Sequence, residues 1–227
     1  MNITEEHVRF SSDKVNLEGV LAYNEDVFPA KAILLCSPHP TLGGDMENNI
    51  ITSLALVSAH AGFISLRFNY RGVGNSECDG KDIAEKFHYW EKTMSSENYT
   101  DAVTDVYSAF KFLTAQVDKD AMIFIAGYSF GGIVGMRVAA THDNVLAFAS
   151  ISTPFGKYDL DFLRGCKKPK LFIYNKNDFA TTVEETLQGL EKIPLPKTIE
   201  LIENSDHFYR GKEDVVSQKV CAFFDSV

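Results

Sequence analysis

The chain has 227 residues, 45% hydrophobic and 23% charged, a balance expected of one globular α/β domain spanning 1–227. A formal charge of −9 repels phosphate backbones and excludes nucleic acid as an expected partner; Lys167, Lys168 and Lys170, interrupted by Pro169, read as the solvated entrance to a strand. Four cysteines without a CxxC pair argue against structural zinc and disulfide scaffolds, and the acidic start with no apolar run near about 20 residues makes the cytoplasm the expected compartment, with no membrane partner.

HVRFSS and VNLEGVLAYN flank the turn-prone pair Asp13-Lys14 and predict two antiparallel strands at a sheet edge. KAILLCSP is a nearly continuous apolar run, as a strand covered on both faces requires, and Cys36 within it reads as a buried hydrophobe. Helical spacing from about Glu47 to Ala61 precedes a strand at FISLRFNYRG. A helix from about Tyr99 to Ala115 leads to the strand AMIFIAG, and a helix from Phe130 to about Thr141 to the strand VLAFASIS. KLFIYN, a helix around Val183 to Leu190, TIELIEN and the amphipathic VVSQKVCAFFDSV, with Cys221 inside its apolar run, complete the chain. About eight strands alternating with helices predict a mostly parallel sheet covered on both faces, with chemistry beyond the strands' carboxyl ends.

One such loop carries Gly127-Tyr128-Ser129-Phe130-Gly131, between an apolar strand and a helix. A serine on so sharp a turn holds a strained backbone, so its neighbours two positions away must be small. The pattern alone is common; its place between strand and helix is what marks Ser129 as a nucleophile. Such a serine needs a base, and the base needs an acid, in the chain order Ser, Asp or Glu, His. Of six histidines only His142 and His207 follow Ser129. His142 lies at the far end of the helix that Ser129 begins, about 20 Å away, where it suits the helix C-terminus. His207 follows the last strand and is the expected base. Asp178, beyond KLFIYN, is the expected acid; Asp143, Asp159 and Asp161 lack such a placement, and Asp206 adjoins His207 too closely to bond its ring.

The oxyanion donors expected are the backbone N–H of Phe130 and one from Ser37–Gly44. Pro40 has none to give, so Thr41 is preferred and Leu42 second. His39 is expected to shape that turn by hydrogen bonding and not to transfer protons. His39, Leu42, Tyr128 and Trp90 are candidate walls of a substrate pocket. No metal ligand set is expected.

Five motifs occur together. Ser37-Pro38-His39-Pro40 with Gly43-Gly44 resembles the PHPxxGG loop of compact α/β hydrolases, and FNYRGVGNS, from Phe68 to Ser76, resembles a second turn of that group. GYSFGG, NKND and SDHF are similar to its nucleophile, acid and histidine loops. The resemblance spans roughly residues 15 to 225. It implies an α/β-hydrolase fold, a Ser129–Asp178–His207 triad, and hydrolysis of a small-molecule carboxylic ester or related acyl compound without a cofactor. Dienelactone hydrolases are similar in architecture but carry cysteine where Ser129 stands. Acyl transfer, thioester or peptide cleavage by the same triad, and binding without chemistry, are the alternatives. One departure from the group is a longer connection from about Glu77 to Asn98, with Phe87, His88, Tyr89, Trp90 and Met94, which is either a small lid or an extra helix packed on the body.

Overall fold

The computed structural model describes residues 2–78, 82–96 and 98–227. The predicted edge pair is present as β1 (Ile3–Ser12) and β2 (Val15–Asn24), antiparallel and in register from Ile3 opposite Asn24 to Ser12 opposite Val15. Asp13 turns the chain between them with φ 50°, a left-handed conformation that aspartate tolerates. β3 (Lys31–Cys36), β4 (Phe63–Phe68), β5 (Met122–Tyr128), β6 (Val145–Ile151), β7 (Lys170–Tyr174) and β8 (Thr198–Leu201) extend this pair into an eight-stranded sheet of order β1-β2-β4-β3-β5-β6-β7-β8. β2 meets β4 antiparallel, and from β4 to β8 every pairing is parallel.

The helices are α1 (Asn49–His60), α2 (Ile83–Ser96), α3 (Thr100–Thr114), α4 (Phe130–Thr141), α5 (Val183–Lys192) and α6 (Glu213–Asp225). β3 shows why the sheet is covered twice. Its Ile33 and Leu35 join a core with Ile51 and Leu54 of α1 and Val220 of α6, while Leu34 and Cys36 join another with Val106 of α3 and Ile133 of α4. Successive side chains of a strand point to opposite faces, so a continuous apolar run needs two cores. Cys36 and Cys221 are buried as their apolar runs imply, and burial pushes the Cys221 thiol up to about 12. Among the described residues no helix is long and apolar enough to cross a membrane.

Two expectations need revision. The strand read as FISLRFNYRG stops at Phe68, because the Asn69 side chain accepts from Met46 N–H at 2.8 Å and donates to Glu18 at 2.7 Å, turning the chain away. The basic segment before β7 is not a solvated entrance. Lys168 donates to the carbonyls of His142 and Val145 at 2.5 Å each, and Lys170 is fully buried, its ammonium donating to the carbonyls of Cys166, Pro194 and Pro196 at 3.0–3.1 Å. Burial lowers the pKa of both lysines, and the carbonyls replace the water that an ammonium would otherwise keep.

The expected insertion at 77–98 contains α2; its residues 79–81 and 97 lie outside the described residues. β3 lies between β4 and β5, so the chain leaves β3 to one side and returns on the other. That reversal opens a crevice above the carboxyl ends of β3 and β5, where the Ser37–Gly44 loop and the turn at Ser129 both emerge.

Candidate active site

Ser129 joins β5 to α4 with φ 55° and ψ −118°, a strained backbone for a residue with a side chain. The strain is tolerated because the chain crosses itself closely. A Cβ on Gly127 would stand 2.2 Å from the Gly131 oxygen, and one on Gly131 would stand 2.0 Å from the Cys36 oxygen. The Ser129 amide is tied to Ile151 O of the neighbouring strand at 2.7 Å. No side chain caps α4, so the positive end of its dipole is open at the serine.

Asp178 and His207 come together on the loops after β7 and β8. Asp178 Oδ1 accepts from His207 Nδ1 at 2.7 Å and from the Ala180 amide at 2.8 Å, and Oδ2 accepts from Asn175 Nδ2 at 3.2 Å. Burial pushes the Asp178 carboxyl up, but the hydrogen bonds from His207, Ser152 and Ala180 and the charge of His207 outweigh it and hold it below the usual carboxylate range. An ionised carboxylate can only accept, so Nδ1 carries a proton, and in the neutral ring it is Nε2 that holds the lone pair. The His207 carbonyl accepts from the Tyr128 hydroxyl at 2.5 Å, and its ring packs on Phe179 with centroids 4.6 Å apart. The link from Ser129 Oγ to His207 Nε2 is not among the hydrogen bonds of the described residues; catalytic contacts of this kind often tighten only around substrate. A cleft of about 130 Å³ opens over Ser129, walled by His39, Leu42, Met94, Phe130, Lys157 and Ala180.

A family model described as serine aminopeptidase, S33, matches residues 46–207, a span that includes Ser129, Asp178 and His207. The chain is an α/β hydrolase of that family. An uncharacterised protein of Rickettsia prowazekii is 25% identical over 222 residues, covering 94% of this chain and 86% of its own. Two solved structures share the fold: a protein of unknown function from Agrobacterium tumefaciens (24% identity, TM-score 0.80, 97% and 95% of the two chains) and a serine hydrolase without a lid from Xanthomonas campestris (21%, 0.79, 98% and 94%).

The other side of the hydrolase cleft is the turn Pro40–Leu42, which His39 caps. His39 Nδ1 accepts from Thr41 N–H at 3.3 Å, and the Leu42 amide donates to His39 O at 3.0 Å. Neither expected second oxyanion donor is therefore unoccupied. Thr93 of α2 donates its hydroxyl proton to Trp90 O at 2.7 Å, so its oxygen must accept from His39 Nε2, 2.9 Å away. That fixes the His39 tautomer with Nδ1 as acceptor. Burial lowers the His39 pKa to about 4, so the ring is neutral near pH 7. The Thr41 hydroxyl lies 2.9 Å from His39 Nδ1, which can only accept, so its proton is given there, and Met94 Sδ of α2 packs against the same oxygen.

Of the candidate pocket walls, His39 and Leu42 line the cleft over Ser129. Tyr128 and Trp90 do not. Tyr128 is buried beneath His207, where its hydroxyl supports the loop; Trp90 is buried, donates Nε1–H to Arg71 O at 3.0 Å, and borders a neighbouring cleft with Phe87. His142 closes α4 with Nδ1 2.8 Å from Val138 O, and Asp206 accepts from the Phe208 amide at 2.9 Å, each a local turn role. Among the described residues no cluster of three His, Cys, Asp or Glu is arranged to hold a metal.

Sequence reasoning missed the support behind Asp178. Asn175 donates to both Asp178 and Ser152 Oγ, and Ser152, with φ 47°, lies 2.8 Å from the Tyr209 hydroxyl. A Ser-Thr-Pro run beyond the carboxyl end of β6 was the available signal. The FNYRGVGNS turn is held by Asp105 of α3, which takes Arg71 Nε and Nη2 at 2.7–3.1 Å and Ser12 Oγ at 2.7 Å.

Proposed function

We propose that the chain hydrolyses carboxylic esters or closely related acyl bonds of a small molecule through an acyl-enzyme on Ser129. The observation that carries this reading is the 2.7 Å bond between Asp178 and His207, at the same carboxyl edge of the sheet as a serine held at φ 55°. His207 Nε2 takes the Ser129 proton as Oγ attacks the acyl carbon, and Asp178 stabilises the resulting imidazolium. The Phe130 amide, at the open end of the α4 dipole, receives the developing oxyanion, joined by Thr41 N–H. The bond from Thr41 to His39 is long at 3.3 Å, and a charged oxygen is the stronger acceptor, so the amide is exchanged onto the oxyanion as it forms. His207 then returns its proton to the leaving group, and water repeats the sequence to free the acid.

The family description raises peptide cleavage as the alternative within the same triad. An aminopeptidase must hold a substrate ammonium; among the described residues that wall the cleft the charged one is Lys157, which favours a neutral or anionic substrate. We further assign the whole chain to one domain with α2 as a small cover beside the cleft, and the cytoplasm as its compartment, supported by four unpaired thiols.

A fluorophosphonate probe tests the reading. It should label Ser129, and Ser129→Ala should abolish labelling and p-nitrophenyl acetate turnover together. Absence of both in the wild type would return the chain to a binding role. Adding an alcohol acceptor separates hydrolysis from acyl transfer, because only a transferase diverts the acyl group into a new ester.

A further inference from the structure

Leu42, Phe87 and Met94 are large apolar side chains 47–54% exposed, and all three line one groove. Exposed apolar residues scattered singly are ordinary; three along one groove are not. Leu42 and Met94 wall the cleft over Ser129 and also begin a second cleft of about 400 Å³, which Phe87, Glu91 and Thr41 continue. Phe87 and Thr41 then border a third, of about 300 Å³, with Val73 and Trp90. Shared lining residues set these three clefts side by side along the Pro40–Leu42 turn and α2. Phe87, Glu91 and Met94, spaced i, i+4, i+7, present one face of α2 along them. From Met94 to Phe87 the helix rises about 10 Å, the length of a medium acyl chain.

The chemistry decides which half of a substrate lies along these clefts, on the reading of Ser129 as nucleophile given above. His207 must hand its proton to the leaving oxygen, so the leaving group lies on the His207 side, where Phe179 (61% exposed) and Phe208 (39%) flank the ring. The acyl substituent then points the opposite way, past Leu42 and Met94. We propose that the groove between the Pro40–Leu42 turn and α2 binds an unbranched apolar acyl chain of medium length, making the substrate a medium-chain ester or thioester. The groove is open along one side, so each methylene buries part of its surface and the gain falls mainly in KM.

The test varies the two halves of the substrate separately. p-Nitrophenyl esters from acetate to laurate change the acyl chain, and alkyl acetates from methyl to octyl change the alcohol. The kcat/KM of octanoate should exceed that of acetate by about tenfold, chiefly through KM. Phe87→Ser should lower the octanoate-to-acetate ratio several-fold while the octyl-to-methyl ratio of the alkyl acetates holds. Phe28→Ser, at an exposed phenylalanine in a cleft with Tyr23 and Pro29, controls for general loss of surface apolarity and should leave both ratios as they are. A flat acyl profile in an enzyme whose Ser129 is labelled overturns the proposal and leaves the triad standing. So does an acyl ratio that responds to Phe179→Ala and not to Phe87→Ser. A dimer that dissociates in Phe87→Ser, with a flat acyl profile, would assign the apolar face to a second copy of the chain. No labelling at all removes the catalytic reading itself.

Discussion

The two flanks of Ser129 are fastened in different ways. On the His207 side, Asp178 is held by a ring N–H, a backbone amide and the Asn175 amide group, and behind them Ser152 meets Tyr209. On the His39 side the turn carries one capping imidazole, its amides are already engaged, and its outer support is α2. The first flank presents a charge and a proton in fixed positions before substrate arrives. On the mechanism proposed above, the second must release an amide when the oxyanion forms. Proton transfer tolerates little misplacement, whereas a charged oxygen can draw a donor from a weaker partner.

Substitutions on the fixed flank should therefore cost most. Asp178→Asn leaves the shape but presents an N–H or a neutral oxygen to His207 Nδ1, so the useful tautomer is no longer enforced. Turnover of p-nitrophenyl acetate should fall by about 10³–10⁴ with little change in melting temperature. A loss below tenfold would make Asp178 a turn residue. Gly131→Ala tests the base shared by both flanks: its Cβ meets the Cys36 oxygen at 2.0 Å, which only backbone movement relieves. Roughly 3 kcal/mol of stability should be lost by urea unfolding.

Acid should separate the flanks. The His39 pKa lies at about 4, below the ordinary 6.5, so between those values the unfolded chain takes up a proton that the folded chain refuses. Stability from this residue is complete above about pH 6.5 and is lost as pH falls toward 4, by roughly 3 kcal/mol at most. Asp178 is depressed below 3.8, so its share persists through that window and disappears only in stronger acid. Urea unfolding at pH 7 and pH 4.5 should show a smaller difference in His39→Gln than in wild type. An equal difference would place the acid sensitivity elsewhere.

What could be read from the chain divides along the same line. The placement of Ser129, Asp178 and His207 was legible because each follows an apolar strand whose direction the βα alternation supplies, so parallel strands bring them to one edge. The strands themselves were legible from local apolar runs. Asp105, Thr93 and Lys170 were not, because each acts on a partner far along the chain: Asp105 on Arg71, Thr93 on His39, Lys170 on the carbonyls of Pro194 and Pro196. A polar residue in a helix reads as solvent-facing until the neighbour that buries it is known. Tyr128 does not line the cleft over Ser129 for a related reason, since its side chain is buried with its hydroxyl on the His207 carbonyl, a partner 79 residues along the chain.

Thr93 offers the smallest and most specific effect. Its oxygen fixes the His39 tautomer, and that tautomer gives Thr41 N–H an acceptor. Thr93→Val keeps the volume and removes the oxygen. His39 then loses nothing by moving its proton to Nδ1, where it would face the Thr41 donor and displace it. A misplaced donor costs less than a deleted one, so kcat should fall roughly three- to tenfold. KM should stay within about twofold, because the uncharged ground-state carbonyl draws little from that amide. Thr93→Ser restores the oxygen without the methyl group and should recover most of kcat. If Val and Ser behave alike, the hydroxyl is irrelevant and α2 supports the turn by packing alone. If Val lowers kcat and Ser restores it, the helix sequence adds to the fold is part of how this enzyme positions its oxyanion donor.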